Sequence, residues 1–174
     1  KGIGPPQPAA ACICSVVPPL TVVLDEVCQN FFDLKPLTVS VGTRTGLKIL
    51  YDSPRDVGTD RIVDAVAAIE LYGTPAIIVD MGTATVFDGV TRDGEYLGGA
   101  IAPGISLAAE SLFLNTSQLR RVELQAPITA IGRNTTAALQ SGLVLGYVGL
   151  VTFMVERFKN ELGQDAKVIG TGGL

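Results

Sequence analysis

Between Ala76 and Ile101 the sequence leaves the chain little freedom. Ala76-Ile77-Ile78-Val79 is a short apolar run and reads as a buried strand. Asp80 to Asp88 follows as DMGTATVFD, in which Thr85-Val86-Phe87 is a second strand-like run. Met81, Gly82, Thr83 and Ala84 lie between the two runs and are too few for anything but a tight turn. The stretch therefore predicts a β-hairpin with a carboxylate, Asp80, ending its first strand. Asp93-Gly94 is a second hairpin-turn signal, and Tyr96–Ile101 returns as a third antiparallel strand. Gly98 and Gly99 weaken that strand unless something approaches its backbone closely. Gly82 permits a positive φ and a close ligand approach. A turn with free N–H groups and hydroxyls can hold phosphate oxygens, and Asp80 can hold a cation or its bound water. Asp80 can equally do no more than begin an Asx-type turn.

Composition narrows the chemistry. The 174 residues fit one large domain or two small ones, and 47% are hydrophobic, enough for a substantial core. Thirteen Lys and Arg against seventeen Asp and Glu give a net charge of −4, with no basic cluster, so a nucleic-acid face is not expected. There is no His, which removes His bases, His triads and His metal sites together. Carboxylates, hydroxyls, backbone amides and Arg remain. Cys12, Cys14 and Cys28 are odd in number, and Cys12 and Cys14 share one strand face. They are expected to be buried, reduced thiols of a cytoplasmic protein. The chain opens Lys1-Gly2-Ile3-Gly4 without Met and without a signal-peptide pattern, and it closes on Gly172-Gly173-Leu174; both ends are expected to be cut from something larger.

In chain order, residues 1–10 read as a loop and Ala10–Val17 as a buried strand. Pro18-Pro19 opens a helix over Leu20–Phe32, because Pro suits the first helical turn. Leu37–Val41 is a strand, with another short one at Leu47–Tyr51. Ile62–Leu71 has a helical apolar face, with Thr59 or Asp60 as its N-cap. Asp60 there is either a cap or a carboxylate facing a cleft beside Arg61. A domain boundary is placed at Gly73-Thr74-Pro75. Ile105–Leu114 is a helix, Asn115–Ile128 is irregular, a long helix runs from Ile131 to about Glu161, and Ala166–Thr171 is a last strand. Ala137–Val155 is apolar enough to span a bilayer, and Gly142 and Gly146 form G-x-x-x-G. The flanks lack a Lys/Arg cluster, so a buried helix with close-packed glycines is expected instead of a membrane span. Such a helix also suits a dimer interface.

VGTDR (Val57–Arg61), DMGTATVFD with YLGGAIAPG (Tyr96–Gly104), IGRNT (Ile131–Thr135) with QSG (Gln140–Gly142), and VIGTGG (Val168–Gly173) stand in this order. Together with SVVPPLT (Ser15–Thr21), they resemble the type III pantothenate kinases, a family that includes the Bvg accessory factors. The resemblance covers essentially the whole chain. It implies an α/β fold of two ribonuclease-H-like domains from the actin-like superfamily of acetate and sugar kinases, here residues 1–72 and 73–174, truncated at both ends. It implies ATP-dependent phosphorylation of pantothenate, the first step of coenzyme A synthesis, by a cytoplasmic homodimer without nucleic acid or membrane.

In that resemblance Asp60 is the proton acceptor, and Gly58, Thr59 and Arg61 contact pantothenate, Arg61 through the carboxylate. Thr135 is a pantothenate contact supplied across the dimer. Asp80 coordinates a monovalent cation, potassium or ammonium. Thr83 and Gly82 meet the ATP phosphates, Gly172 and Gly173 approach the adenosine, and Mg²⁺ accompanies the nucleotide. A free Asp has a pKa of about 3.9, so Asp60 would orient the hydroxyl and take its proton late. Three departures stand out. The family's D-x-G-N-T phosphate turn is not found, and the chain stops before the second domain would be complete. Val86 and Arg120 stand where Thr and Pro are common. A non-catalytic regulatory protein of the same fold and a kinase of sugars or acetate are the alternatives.

Overall fold

The computed structural model describes residues 8–40 and 42–173. The meander expected from the sequence is its centre. β4 (Ala76–Met81), β5 (Ala84–Val90) and β6 (Glu95–Pro103) run antiparallel in succession. β7 (Lys167–Gly172) lies parallel to β4 on one side, and β3 (Lys48–Ile49) lies parallel to β6 on the other. The result is a mixed five-stranded sheet in the order β3-β6-β5-β4-β7. The sheet thus draws strands from both sides of the Gly73-Thr74-Pro75 break.

Strand alternation explains how the sheet is covered. Ala76 and Ile78 of β4 and Val90 of β5 turn to one face, against Ile62, Ala65 and Ala68 of α2 (Thr59–Tyr72). Ile77, Val79 and Phe87 turn to the other, against Leu150, Val151, Met154 and Phe158 of α4 (Thr135–Leu162). The β4 segment reads as an unbroken apolar run because both of its faces are buried. The same alternation puts Asp80 and Asp88 on the α2 face. Thr85 falls on the α4 face, where its hydroxyl lies 2.9 Å from that of Tyr147.

The remaining elements are peripheral. β1 (Cys12–Ile13) pairs in parallel with β2 (Leu37–Thr38) as a separate two-stranded sheet. α1 (Pro18–Phe32) starts on two prolines, as the sequence predicts, and α3 (Ile105–Leu114) matches its predicted bounds. The strand expected over Ala10–Val17 shrinks to two residues, and that over Leu37–Val41 to two, with Val41 outside the described residues. Two-residue pairing covers little side-chain surface, so the expectation of buried cysteines fails. Cys12 and Cys14 share a face, as expected, but are exposed, while Ile13 between them is buried; Cys28 is half-buried.

The expected close packing of the α4 glycines is also corrected. A Cβ placed on Gly142, Gly146 or Gly149 would meet no atom within 4 Å. Of α4, Ser141 is the buried residue, and the helix touches the sheet mainly through its second half. Its first half forms an apolar groove with α3, lined by Pro103, Ile105, Ala108 and Tyr147. Among the described residues α4 is the one helix long and apolar enough to cross a membrane, a property that core helices of soluble proteins share.

Candidate active site

The N-terminus of α2 and the β4–β5 hairpin meet on one face of the sheet. α2 begins without a side-chain cap, and its N-cap is Gly58, in place of the Thr59 or Asp60 expected from sequence. Those two residues already lie in the first turn, where backbone N–H groups have no helical partner. The Asp60 carboxylate turns back over Gly58 and accepts from the Arg61 amide at 2.9 Å. A Cβ at position 58 would overlap Asp60 Oδ1, so the glycine keeps that carboxylate's place clear. Asp60 is exposed, whereas Thr59 Oγ1 is buried without a hydrogen-bond partner among the described residues. A buried hydroxyl in that state is uncommon.

Arg61 turns away from Asp60 and into the sheet. Its Nε donates to Asp88 Oδ1 at 3.0 Å and its Nη2 donates to the same oxygen at 2.6 Å. Tyr96 Oη donates to that oxygen as well, at 2.7 Å, and the guanidinium lies 5.8 Å from the Tyr96 ring centroid. Asp88 is 2% exposed. Burial works against the Arg61 charge, but the Asp88 carboxylate outweighs it and holds the guanidinium above its ordinary value. Burial first, and then the bond to Asp88, push the Tyr96 phenol far up, so it stays a donor. The paired glycines of β6 now have a reason. Tyr51 packs against Gly98, which has φ +116, and a Cβ on Gly99 would run into the Phe87 carbonyl and Asp88 Oδ1. Neither Asp88 nor Tyr51 was singled out as a site residue. The available signal for Asp88 was its position in a buried strand, where a carboxylate must have a partner.

Among the described residues, Asp64 and Asp80 on this face have no such partner. Asp64, one turn beyond Asp60 on α2, is pushed up to about 6 by burial and then by the charges of Asp80, Asp60 and Asp88. Asp80 is raised by burial and by Asp60 and Asp88. The sequence did not mark Asp64 either; a half-buried Asp one helical turn from Asp60 was its signal. Across the hairpin Val86 pairs with Asp80, so an apolar side chain stands beside that carboxylate.

At the hairpin tip the Gly82 amide donates to Ala84 O at 3.0 Å, and Gly104 N donates to Thr83 O at 3.0 Å. The Gly82 amide is therefore committed inside the turn, while Thr83 is exposed. β7 brings Thr171 and Gly172 beside Asp80 and Met81. Gly172 has φ +110, and a Cβ there would overlap the Met81 backbone; the Gly173 amide donates to Met81 O at 3.2 Å. Gly58, Thr59, Asp60, Arg61 and Asp80 thus meet on one face, with Gly82, Thr83, Gly172 and Gly173 at its end. Thr135 is apart from them. It opens α4 after the Asn134 cap, whose side chain accepts from Ala137 N at 2.8 Å, and lines a cavity with Gln118, Arg120 and Thr136.

Asp60, Asp64 and Asp80 give this face an acidic side. Among the described residues no group of three or more His, Cys, Asp or Glu side chains is placed to hold a metal ion. Asp80 offers a carboxylate in surroundings already too negative, and other oxygens would complete the shell.

Comparison with known proteins finds relatives over most of the chain. A family model described as type III pantothenate kinase matches residues 3–157. Proteins named type III pantothenate kinase from Anaeromyxobacter sp. (strain Fw109-5), Koribacter versatilis (strain Ellin345) and Dehalococcoides mccartyi (strain BAV1) are 51%, 52% and 53% identical to the chain. The matches cover 99%, 93% and 92% of this chain. The chain spans 68%, 59% and 61% of the length of those relatives. A crystal structure from Campylobacter jejuni, described as a conserved Baf family transcriptional activator, superposes with a TM-score of 0.51 at 20% identity. It covers 84% of this chain and 70% of its own, a likeness of fold alone.

Proposed function

Since the chain belongs to the type III pantothenate kinase family, we propose that the whole protein transfers the γ-phosphoryl group of ATP to the primary hydroxyl of pantothenate, opening coenzyme A synthesis. The observation that carries this reading is the exposed Asp60 carboxylate, held by the Arg61 amide beside the unmet hydroxyl of Thr59. An acceptor hydroxyl placed there meets a proton acceptor, and a second acceptor group can satisfy Thr59. Phosphoryl transfer relies on positioning and charge stabilisation, so Asp60 need only orient the hydroxyl and take its proton late. The Arg61 guanidinium faces the acceptor's carboxylate, and Thr135 of a second copy completes that end of the site in a homodimer.

Asp80 is the place for potassium or ammonium, because burial and then the charges of Asp60 and Asp88 raise the cost of its charge and a monovalent cation would lower it. Thr83 at the hairpin tip reaches the phosphates with its hydroxyl, and Gly172 and Gly173 give the adenosine a surface free of side chains. ATP brings Mg²⁺ to charge-balance its phosphates. The proposal includes the two-domain, ribonuclease-H-like arrangement, with β3 in the sheet of the second domain, α2 packed on that sheet, and the boundary lying before them.

The test is an acceptor panel on full-length protein, with ADP release read for pantothenate, acetate and hexoses in potassium buffer. Pantothenate-dependent release is expected. Release with acetate or a hexose but not with pantothenate would assign the protein to another branch of the kinase superfamily.

A further inference from the structure

Arg61, proposed above as the contact to the acceptor's carboxylate, is already bound within the protein. Its Nε and Nη2 both donate to Asp88, which leaves Nη1 as the only guanidinium nitrogen with no bond to that carboxylate. The Asp88 oxygen that takes both bonds also accepts from Tyr96. The carboxylate cannot turn without breaking several bonds at once. Asp88 sits on β5, Tyr96 on β6 and Arg61 on α2, so the triad ties the first turn of α2 to two strands of the sheet. Gly99 lies opposite Asp88 in the ladder and leaves the space that the carboxylate fills. The Arg61–Asp88 pair is electrically neutral and almost wholly buried, with side chains 12% and 3% exposed.

We infer that Asp88, oriented by Tyr96, is a positioning residue that sets the angle at which Arg61 offers Nη1 to the acceptor's carboxylate, so that acid acceptors are selected by geometry more than by net charge. This rests on the reading of Arg61 as the contact to the acceptor's carboxylate. Two facts favour it over a purely structural pair. A buried pair is weak as a source of stability compared with an apolar replacement. Arg is also the side chain whose planar fork carries directional carboxylate recognition. The Arg61–Asp88 pair carries no net charge, so what Arg61 offers a substrate carboxylate depends on where Nη1 points.

The test compares pantothenate with its neutral primary amide as acceptors for full-length wild type, Asp88→Glu and Tyr96→Phe. Both variants keep the charges and move or loosen the carboxylate. The ratio of kcat/KM for acid over amide is expected to fall about tenfold in Asp88→Glu and about threefold in Tyr96→Phe, with KM for ATP unchanged. Wild-type ratios in both variants would overturn the inference, whatever happens to their thermal stability. Tyr96→Phe serves if Asp88→Glu does not fold. If the wild type phosphorylates neither acceptor, the proposed function fails, and the inference is judged by the Arg61 Nε–H resonance. Slow solvent exchange in the wild type, lost in Asp88→Glu, supports the pinned guanidinium. Exchange as fast as that of the exposed Arg133 contradicts it.

Discussion

The hairpin carries two carboxylates on one face of one sheet, and they have opposite surroundings. Asp88 is buried, accepts from Arg61 and Tyr96, and faces a glycine that makes room for it. Asp80, at the other end of the same face, has Val86 beside it and lies near Asp60 and Asp64, with no ion pair among the described residues. A compensated carboxylate holds structure in place; an uncompensated one raises the free energy of the ligand-free protein and so favours binding of positive charge. The two ends of the face divide the work on that basis. The Asp88 end fixes α2 against the sheet, and the Asp80 end is where the proposed cation and phosphate would bind.

Loss of the compensated carboxylate has the largest expected effect. Asp88→Ala strands the Arg61 guanidinium and is expected to cost about 3–5 kcal/mol in chemical denaturation. A loss below about 1 kcal/mol would mean that the pair does not anchor α2. Gly99→Ala comes next. Its Cβ meets the Phe87 backbone carbonyl, which cannot swing aside like a side chain, so about 1–3 kcal/mol is expected by the same assay.

The uncompensated end gives a smaller effect of opposite sign. Asp64 in the folded protein is raised from 3.8 to about 6, so the unfolded chain releases its proton first and stability falls as pH rises between those values. Asp64→Asn is therefore expected to stabilise the protein by about 1 kcal/mol at pH 7.5, a figure reduced for the group's exposure, and to change nothing near pH 3. Melting curves across that range check the sign. A variant that is less stable at pH 7.5 would show that Asp64 already has a compensating partner.

The sheet was legible because its sequence alternates. β4, the turn at Gly82-Thr83, α3 and the strand order of the meander followed from apolar runs and turn residues, and the prolines placed the start of α1. What failed depended on contacts between distant segments. The burial of Cys12 and Cys14, and of Gly142 and Gly146, required a covering element that no local pattern can reveal. The α2 cap failed by one or two residues, since Gly58 supplies the cap position and frees Asp60 for another use. The same limit hid the Asp88 triad. Asp88 was visible as the end of the motif, but its partners come from 27 residues earlier and 8 later in the chain, and only the packing of α2 across β5 unites them. Asp64 looked like one more polar helical residue until the sheet placed two other carboxylates near it.

The central claim is that the exposed Asp60, at the junction of these two ends, serves an acceptor hydroxyl during phosphoryl transfer. The most direct measurement is the initial rate of ATP-dependent pantothenate phosphorylation by full-length wild type and Asp60→Asn at saturating substrates. A fall of about 10²- to 10⁴-fold in kcat with an unchanged melting temperature is expected. A variant that turns over pantothenate at the wild-type rate would contradict it.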